Sequence, residues 1–259
     1  MNETFSMMDI APTVSAIMGM PAPGQSRGVP IPSIASYLAG SDRVAILAPD
    51  ALGLFAWNLW KDEMPFLRSL HGSRSLVVRS VMPSITPVNF ATMICGTDQE
   101  GHKIETFRSD FACETLYDVV RTRGGKSAGV GLNGYTGCEL LGRFADICGD
   151  AGHGTDDDIG DLAIGIARDQ RPEFMIVQLG QVDDVFHEFG PSSPSVIPML
   201  KETDLRLARL VEKLKPFGYG VIILSDHGQH DVPDAPPGEH KGTHGTDSDI
   251  DCLVPCTWI

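Results

Sequence analysis

The chain has 259 residues, 42% of them hydrophobic, and sets 20 Lys and Arg against 34 Asp and Glu for a net charge of −14. That length supports one large core with at most a small insert, and that charge excludes a binder of nucleic-acid polymers, whose affinity rests on Lys and Arg at phosphates. The six cysteines, Cys95, Cys113, Cys138, Cys148, Cys252 and Cys256, form neither a C-x-x-C pair nor a dense framework, which excludes a zinc finger or disulfide scaffold and points to a reduced, cytoplasmic setting.

In chain order, the first apolar stretch, Ile10 to Met20, is broken by Pro12 and Gly19 and lacks a preceding basic region, so it makes a poor signal peptide. No later run approaches the roughly 20 apolar residues of a membrane span, and no membrane partner is expected. Val44 to Leu47 reads as a buried strand, followed by a helix through Phe66, Leu67 and Leu70. Leu76 to Val81 reads as a strand and Pro87 to Ile94 as a helix. Residues 101–170 read as a small cap or insert, with helices over Leu116 to Arg123 and Ile159 to Arg168 and a strand over Ala128 to Leu132. The run Asp156, Asp157, Asp158 is expected to start the second of these helices on a solvated face. Phe174 to Leu179 and Val221 to Leu224 are further strands, and Ile197 to Leu214 carries Leu200, Leu205, Leu207, Leu210, Val211 and Leu214 at helical spacing. This alternation predicts an α/β domain around a mainly parallel sheet.

Asp50, Asp183 and Asp226 each follow a predicted strand, and carboxyl ends of parallel strands line a common crevice. Three acids from distant positions are therefore expected to converge. Thr86 precedes Pro87, a pairing that favours a helix start, with Thr86 as N-cap near free backbone N–H groups and the positive end of the helix dipole. Asn89, one turn along, is expected to aim its amide at a phosphoryl oxygen. Asp183 and His187 sit four residues apart, His227 follows Asp226, and His244 lies in Thr243-His244-Gly245. Carboxylate and imidazole together suit Zn²⁺, with Mn²⁺ an alternative, and seven such donors counting Thr86 suffice for two ions.

The ordered motifs are Ala48-Pro49-Asp50-Ala51-Leu52-Gly53, Pro83 to Gly96, Asp183 to Pro191, Asp226-His227-Gly228 and His244-Gly245. In this order they resemble the alkaline phosphatase superfamily, specifically type I phosphodiesterases and nucleotide pyrophosphatases. The resemblance implies a three-layer α/β sandwich. It implies one metal on Asp183, His187 and His244, and a second on Asp50, Asp226 and His227 with Thr86 as a further ligand. It also implies that Thr86 forms a phosphothreonine that water releases, in hydrolysis of a phosphodiester or pyrophosphate bond of a small molecule. A phosphonoacetate hydrolase or a phosphomonoesterase is the alternative, and a noncatalytic metal or phosphate-ligand binder is a reading of another class. The absence of an arginine beside the motifs and the neutral Asn89 favour diesters. Phe186 and His102-Lys103 depart from the family pattern, and His102, His230 and His240 are read as structural or surface groups. The segment from Met8 to Pro30 resembles a piece that follows His-Gly in relatives, which predicts a circularly permuted chain with residues 1–40 as the moved segment.

Overall fold

Apolar runs dictate the strands: Phe174–Leu179 and Tyr219–Leu224 are buried at every position, a pattern that only a sheet covered on both faces accommodates. The computed structural model describes residues 4–259. Its strands are β1 (Thr4–Ser6), β2 (Arg43–Pro49), β3 (Ser75–Arg79), β4 (Ser127–Gly131), β5 (Ile147–Asp150), β6 (Phe174–Leu179), β7 (Tyr219–Leu224), β8 (His230–Asp231), β9 (Gly242–Thr243) and β10 (Leu253–Trp258). The helices are α1 (Ile10–Ile17), α2 (Pro32–Tyr37), α3 (Leu54–Trp60), α4 (Pro65–His71), α5 (Thr86–Cys95), α6 (Gln99–His102), α7 (Leu116–Thr122), α8 (Asp156–Asp169), α9 (Gln181–Phe189), α10 (Ile197–Leu214) and α11 (Asp249–Cys252).

One eight-stranded sheet runs β1-β3-β10-β7-β2-β6-β4-β5, and β8 with β9 forms a separate short hairpin. Within the large sheet only β10 is antiparallel to its neighbours. Period-two alternation along β2 sends Ala45 and Leu47 to the core beneath α3, α4, α8, α9 and α10, and Val44, Ile46 and Ala48 to the core beneath α1, α2, α5 and α7. The result is helix, sheet, helix. Because β7, β2 and β6 are adjacent and parallel, Asp226, Asp50 and Asp183 leave the sheet at one edge, and β3 delivers the chain toward Thr86 at that edge too.

Two expectations need correction. Residues 101–170 do not form a cap or insert: β4 pairs with β6 from Ser127 to Val130, β5 extends the sheet beyond β4, and α7 and α8 supply both helical layers. The reason is burial, since β4 is covered at all its positions. The acidic run is not uniformly solvated either. Asp156 is fully buried and accepts from the backbone N–H groups of Gly180 and Gln181 at 2.9 and 3.2 Å, anchoring the start of α9. Burial raises its carboxyl to about 6, against the pull of Arg206 at 3.8 Å. Asp157 pairs with Arg206 at 2.8 Å, and Asp158 closes a capping box with Thr155.

Thr4 lies opposite Val77, at the middle of β3, and Thr257 lies opposite Ser75, at its start, on the other side. Residues 1–3 of the segment read as moved lie outside the described residues.

Candidate metal centre

Asp50 follows β2 directly and is held there by its N–H, which donates to Leu179 O at 2.9 Å. Ala51 then adopts φ +60°, left-handed backbone that costs a residue with a Cβ about 1 kcal/mol. This turn aims the Ala51 N–H at Asp226 Oδ1, 3.2 Å away. The strand ends cross closely: a Cβ on Gly228 would lie 2.2 Å from the Ile250 carbonyl oxygen and 3.1 Å from Gly53 Cα, which explains the glycine in Asp226-His227-Gly228.

Two groups of ligand-type side chains form at this edge, Asp50 with Asp226 and His227, and Asp183 with His187 and His244. In the first, His227 Nε2 lies 3.2 Å from Asp226 Oδ2 and 3.6 Å from Asp50 Oδ1. Both carboxylate oxygens are buried without a hydrogen-bond partner. Each carboxylate's other oxygen is occupied, Asp50 Oδ2 by Gln178 Nε2 at 2.5 Å and Asp226 Oδ1 by the Ala51 N–H. In the second group, Asp183 and His187 share one face of α9, one turn apart, with His187 Nε2 3.4 Å from Asp183 Oδ2. His244 Nε2, on the loop after β9, lies 3.8 Å from Asp183 Oδ1.

The three imidazoles are set alike. His187 Nδ1 donates to Gly242 O at 2.9 Å, His244 Nδ1 to Ser84 O at 2.9 Å, and His227 Nδ1 to Gly228 O at 3.1 Å. A carbonyl only accepts, so each Nδ1 carries a proton, which leaves Nε2 as the ring atom turned into the site, where the neutral form of the ring offers a lone pair to a cation. The His227 and His244 rings stack with centroids 3.9 Å apart, which joins the two groups.

Burial, then the nearby charges of Asp226 and Asp183, pushes the Asp50 carboxyl well above the ordinary carboxylate range. Burial also acts to raise Asp183, but the hydrogen bond with His187 and the charges of His227, His187 and His244 outweigh it and hold the carboxyl down to about 2. Burial, then His227, lowers His244 to about 4. Orphaned buried carboxylate oxygens facing imidazole lone pairs are an arrangement that a divalent cation satisfies and that the protein's own donors do not. The residues fit two such ions.

Thr86 is the first helical residue of α5, and Ile85 rather than Thr86 is the N-cap. Its Oγ1 is therefore free of capping and lies 3.0 Å from His227 Nε2. Asn89 does not serve as expected. It is fully buried, its Oδ1 accepts from Val81 N at 2.8 Å, and its Nδ2 donates to the carbonyls of Val81, Pro83 and Ile85 at 3.2 to 3.3 Å. The loop from β3 into α5 takes both N–H donors of the amide, leaving none for a phosphoryl oxygen. Asn89→Ala should consequently cost about 2–4 kcal/mol of stability in thermal unfolding, and a fall in kcat with unchanged stability would contradict this.

Other polar groups divide clearly. Asp184 turns away from the ligands to accept from Tyr135 Oη at 2.6 Å. His102 is buried between Thr92 Oγ1 at 3.2 Å and the Ile104 N–H at 3.0 Å. His230 pairs with the buried Asp251 at 2.8 Å, beneath the loop that carries His244, while His240 is exposed and packs on the His187 ring at 4.5 Å. Sequence reasoning missed Gln178 and Gln229, which reach Asp50 and Asp183 at 2.5 Å each. A signal existed for the first: Gln178 is the one polar residue in the run Phe174–Leu179.

The type I phosphodiesterase / nucleotide pyrophosphatase family profile matches residues 143–247, a span that holds Asp183, His187, Asp226, His227 and His244 but neither Asp50 nor Thr86. An uncharacterized pyrophosphatase/phosphodiesterase of Schizosaccharomyces pombe is 35% identical over 68 residues, 25% of this chain and 14% of that protein. Venom phosphodiesterase 2 of Crotalus adamanteus is 29% identical over 73 residues, 27% of this chain and 9% of that protein. The matches thus span a small part of these relatives. Among solved structures, human ectonucleotide pyrophosphatase/phosphodiesterase 5 superposes with TM-score 0.67 at 14% identity, covering 83% of this chain and 87% of that one. Phosphonoacetate hydrolase from Sinorhizobium meliloti 1021, bound to phosphonoformate, superposes with TM-score 0.60 at 16% identity, covering 73% and 57%. An inactive threonine-to-alanine variant of the murine ectonucleotide enzyme, in complex with AMP, gives 0.60 at 16%, covering 74% and 59%. Residues 143–247 are thus similar to the type I phosphodiesterases and nucleotide pyrophosphatases, and the chain shares its fold with the ectonucleotide pyrophosphatase/phosphodiesterase and phosphonoacetate hydrolase structures.

Proposed function

We propose that the chain is a two-metal hydrolase of phosphodiester or pyrophosphate bonds in small molecules, with Thr86 as nucleophile. The observation that carries this reading is the convergence of two Asp/His groups on one sheet edge with an uncommitted hydroxyl, Thr86 Oγ1, 3.0 Å from His227 Nε2. Asp183, His187 and His244 would hold one ion, and Asp50, Asp226 and His227 the other. When bound, the ions neutralise charge on the phosphoryl oxygens and lower the pKa of the threonine hydroxyl. Thr86 Oγ1 then bonds to phosphorus as the leaving group departs, and water attack on the phosphothreonine restores the hydroxyl. The α5 N-terminus directs its dipole at the reacting group, while the buried floor of Asp50, Asp226 and His227 keeps water from the ligand side. The murine variant supports the threonine role, and its AMP supports a nucleotide-sized substrate.

Charge matching favours diesters on grounds other than Asn89. Three carboxylates and two divalent ions leave a site of net charge +1, and no Lys or Arg side chain bonds to any of the six Asp and His ligands among the described residues. A diester phosphoryl group carries one negative charge, a monoester up to two. With Zn²⁺ or Mn²⁺ supplied, kcat/KM for bis(p-nitrophenyl) phosphate should exceed that for p-nitrophenyl phosphate by about tenfold or more, a difference of about 1.4 kcal/mol. The opposite preference would overturn the diester reading, and turnover of phosphonoacetate alone would select the phosphonate alternative.

The cytoplasmic reading rests on six free thiols. Among the described residues no helix is long and apolar enough to cross a membrane.

A further inference from the structure

We infer that Gln178 and Gln229 are positioning residues, one for each metal group, that bind one oxygen of Asp50 and one of Asp183 so that the other faces its metal. The inference rests on the two-metal reading above. Both glutamines are 1% exposed, and an amide is costly to bury unless its hydrogen bonds are made. Gln178 stands in the middle of the sheet. Its Oε1 accepts the Gly137 N–H at 2.5 Å and its Nε2 donates to Asp50 Oδ2 at 2.5 Å. The backbone donor fixes which end of the amide is oxygen, so the NH₂ group must face the carboxylate. Glycine is required for this approach, since a Cβ at Gly137 would sit 2.6 Å from Val130 O and 2.9 Å from Gln178 Cβ.

Gln229 reaches the other group. Its Nε2 donates to Asp183 Oδ1 at 2.5 Å and to Asp183 O at 3.3 Å. A flipped amide would set an oxygen against two acceptors, so this orientation is fixed too, even though it leaves Gln229 Oε1 buried without a partner. Each glutamine therefore restrains an aspartate whose remaining oxygen points at histidine, Asp50 Oδ1 toward His227 and Asp183 Oδ2 toward His187, while the Asp183 Oδ1 that Gln229 holds also lies 3.8 Å from His244 Nε2. The two devices are built from different elements and act on different groups.

The test is metal binding by the full chain, stripped and titrated with Zn²⁺ in competition with a chelator of known affinity. Gln178→Met should weaken by about 10- to 100-fold the ion that Asp226→Ala removes, and leave the second ion unchanged. Gln229→Met should do the reverse, weakening the ion that Asp183→Ala removes. Thermal unfolding of the metal-free variants separates positioning from simple support. Lowered stability with both ions bound as in wild type would overturn the inference while leaving the two-metal reading standing. A wild-type chain that takes up no metal pair would overturn both. The substitutions are independent, so if one does not fold the other still decides the question.

Discussion

Thr86→Ala is expected to lower kcat by about 10⁴-fold or more, the scale seen when the nucleophile of a covalent mechanism is removed. The fold should be nearly indifferent to the change. Thr86 is the first residue of α5, its hydroxyl caps nothing, and its side-chain partner is His227 Nε2. Thermal unfolding of the metal-free variant should fall within about 2 °C of wild type, since lost surface-type contacts stay within about 0.5 kcal/mol. Thr86→Ser, which keeps the oxygen, should retain turnover well above the alanine variant. Steady-state kinetics on a diester with both variants checks this, and an alanine variant of undiminished kcat would remove Thr86 from the mechanism.

Asp50→Asn is expected to act in opposite directions on stability and on function. In the metal-free chain, burial and the neighbouring Asp226 and Asp183 raise the Asp50 carboxyl well above its usual range. A carboxyl whose folded pKa lies above its unfolded value, about 3.9, binds more protons when folded. The stability linked to that proton is therefore present below about 3.9 and is lost as pH rises through the elevated folded value. At neutral pH without metal, Asp50 opposes the fold. Asparagine keeps an acceptor for Gln178 Nε2 and brings a donor toward the unpartnered Asp226 Oδ2. The metal-free variant should thus melt about 3–6 °C higher at pH 7, or about 1–2 kcal/mol, with the gain shrinking toward pH 4. With metal supplied it should lose about 10³-fold in kcat, as loss of one site's anionic ligand removes the charge stabilisation there. Melting curves of the stripped proteins at pH 4 and pH 7 check the first part, and a variant that melts lower at pH 7 would contradict it.

Much of this site was legible because its chemistry sits at strand ends. Val44 to Leu47, Phe174 to Leu179 and Val221 to Leu224 are apolar runs that burial alone turns into central parallel strands, which suffices to bring Asp50, Asp183 and Asp226 to one edge. The i, i+4 spacing of Asp183 and His187 fixed a shared helix face as soon as α9 formed. What escaped was set by tertiary contacts without a local pattern. Asn89 has the residue type and spacing of a phosphoryl donor, yet the return of the chain from Val81 to Ile85 lies closer and takes its amide. Residues 101–170 contain a glycine-rich strand that reads weakly, so β4 was recognised as a strand while its place beside β6 was not. Asp156 looks like its two acidic neighbours in sequence, and only the docking of α8 against the start of α9 separates the buried carboxylate from the solvated ones. Gln178 and Gln229 became informative only when their partners were known to be Asp50 and Asp183.

The central claim, two divalent ions held by two separate Asp/His groups, is tested most directly by counting metal on the purified, stripped and Zn²⁺-reconstituted chain by elemental analysis. The account predicts two ions per wild-type chain, one per chain for Asp183→Ala and one per chain for Asp226→Ala, with no third site in either variant. One ion or none on the wild type, or variants that each retain both, would contradict it.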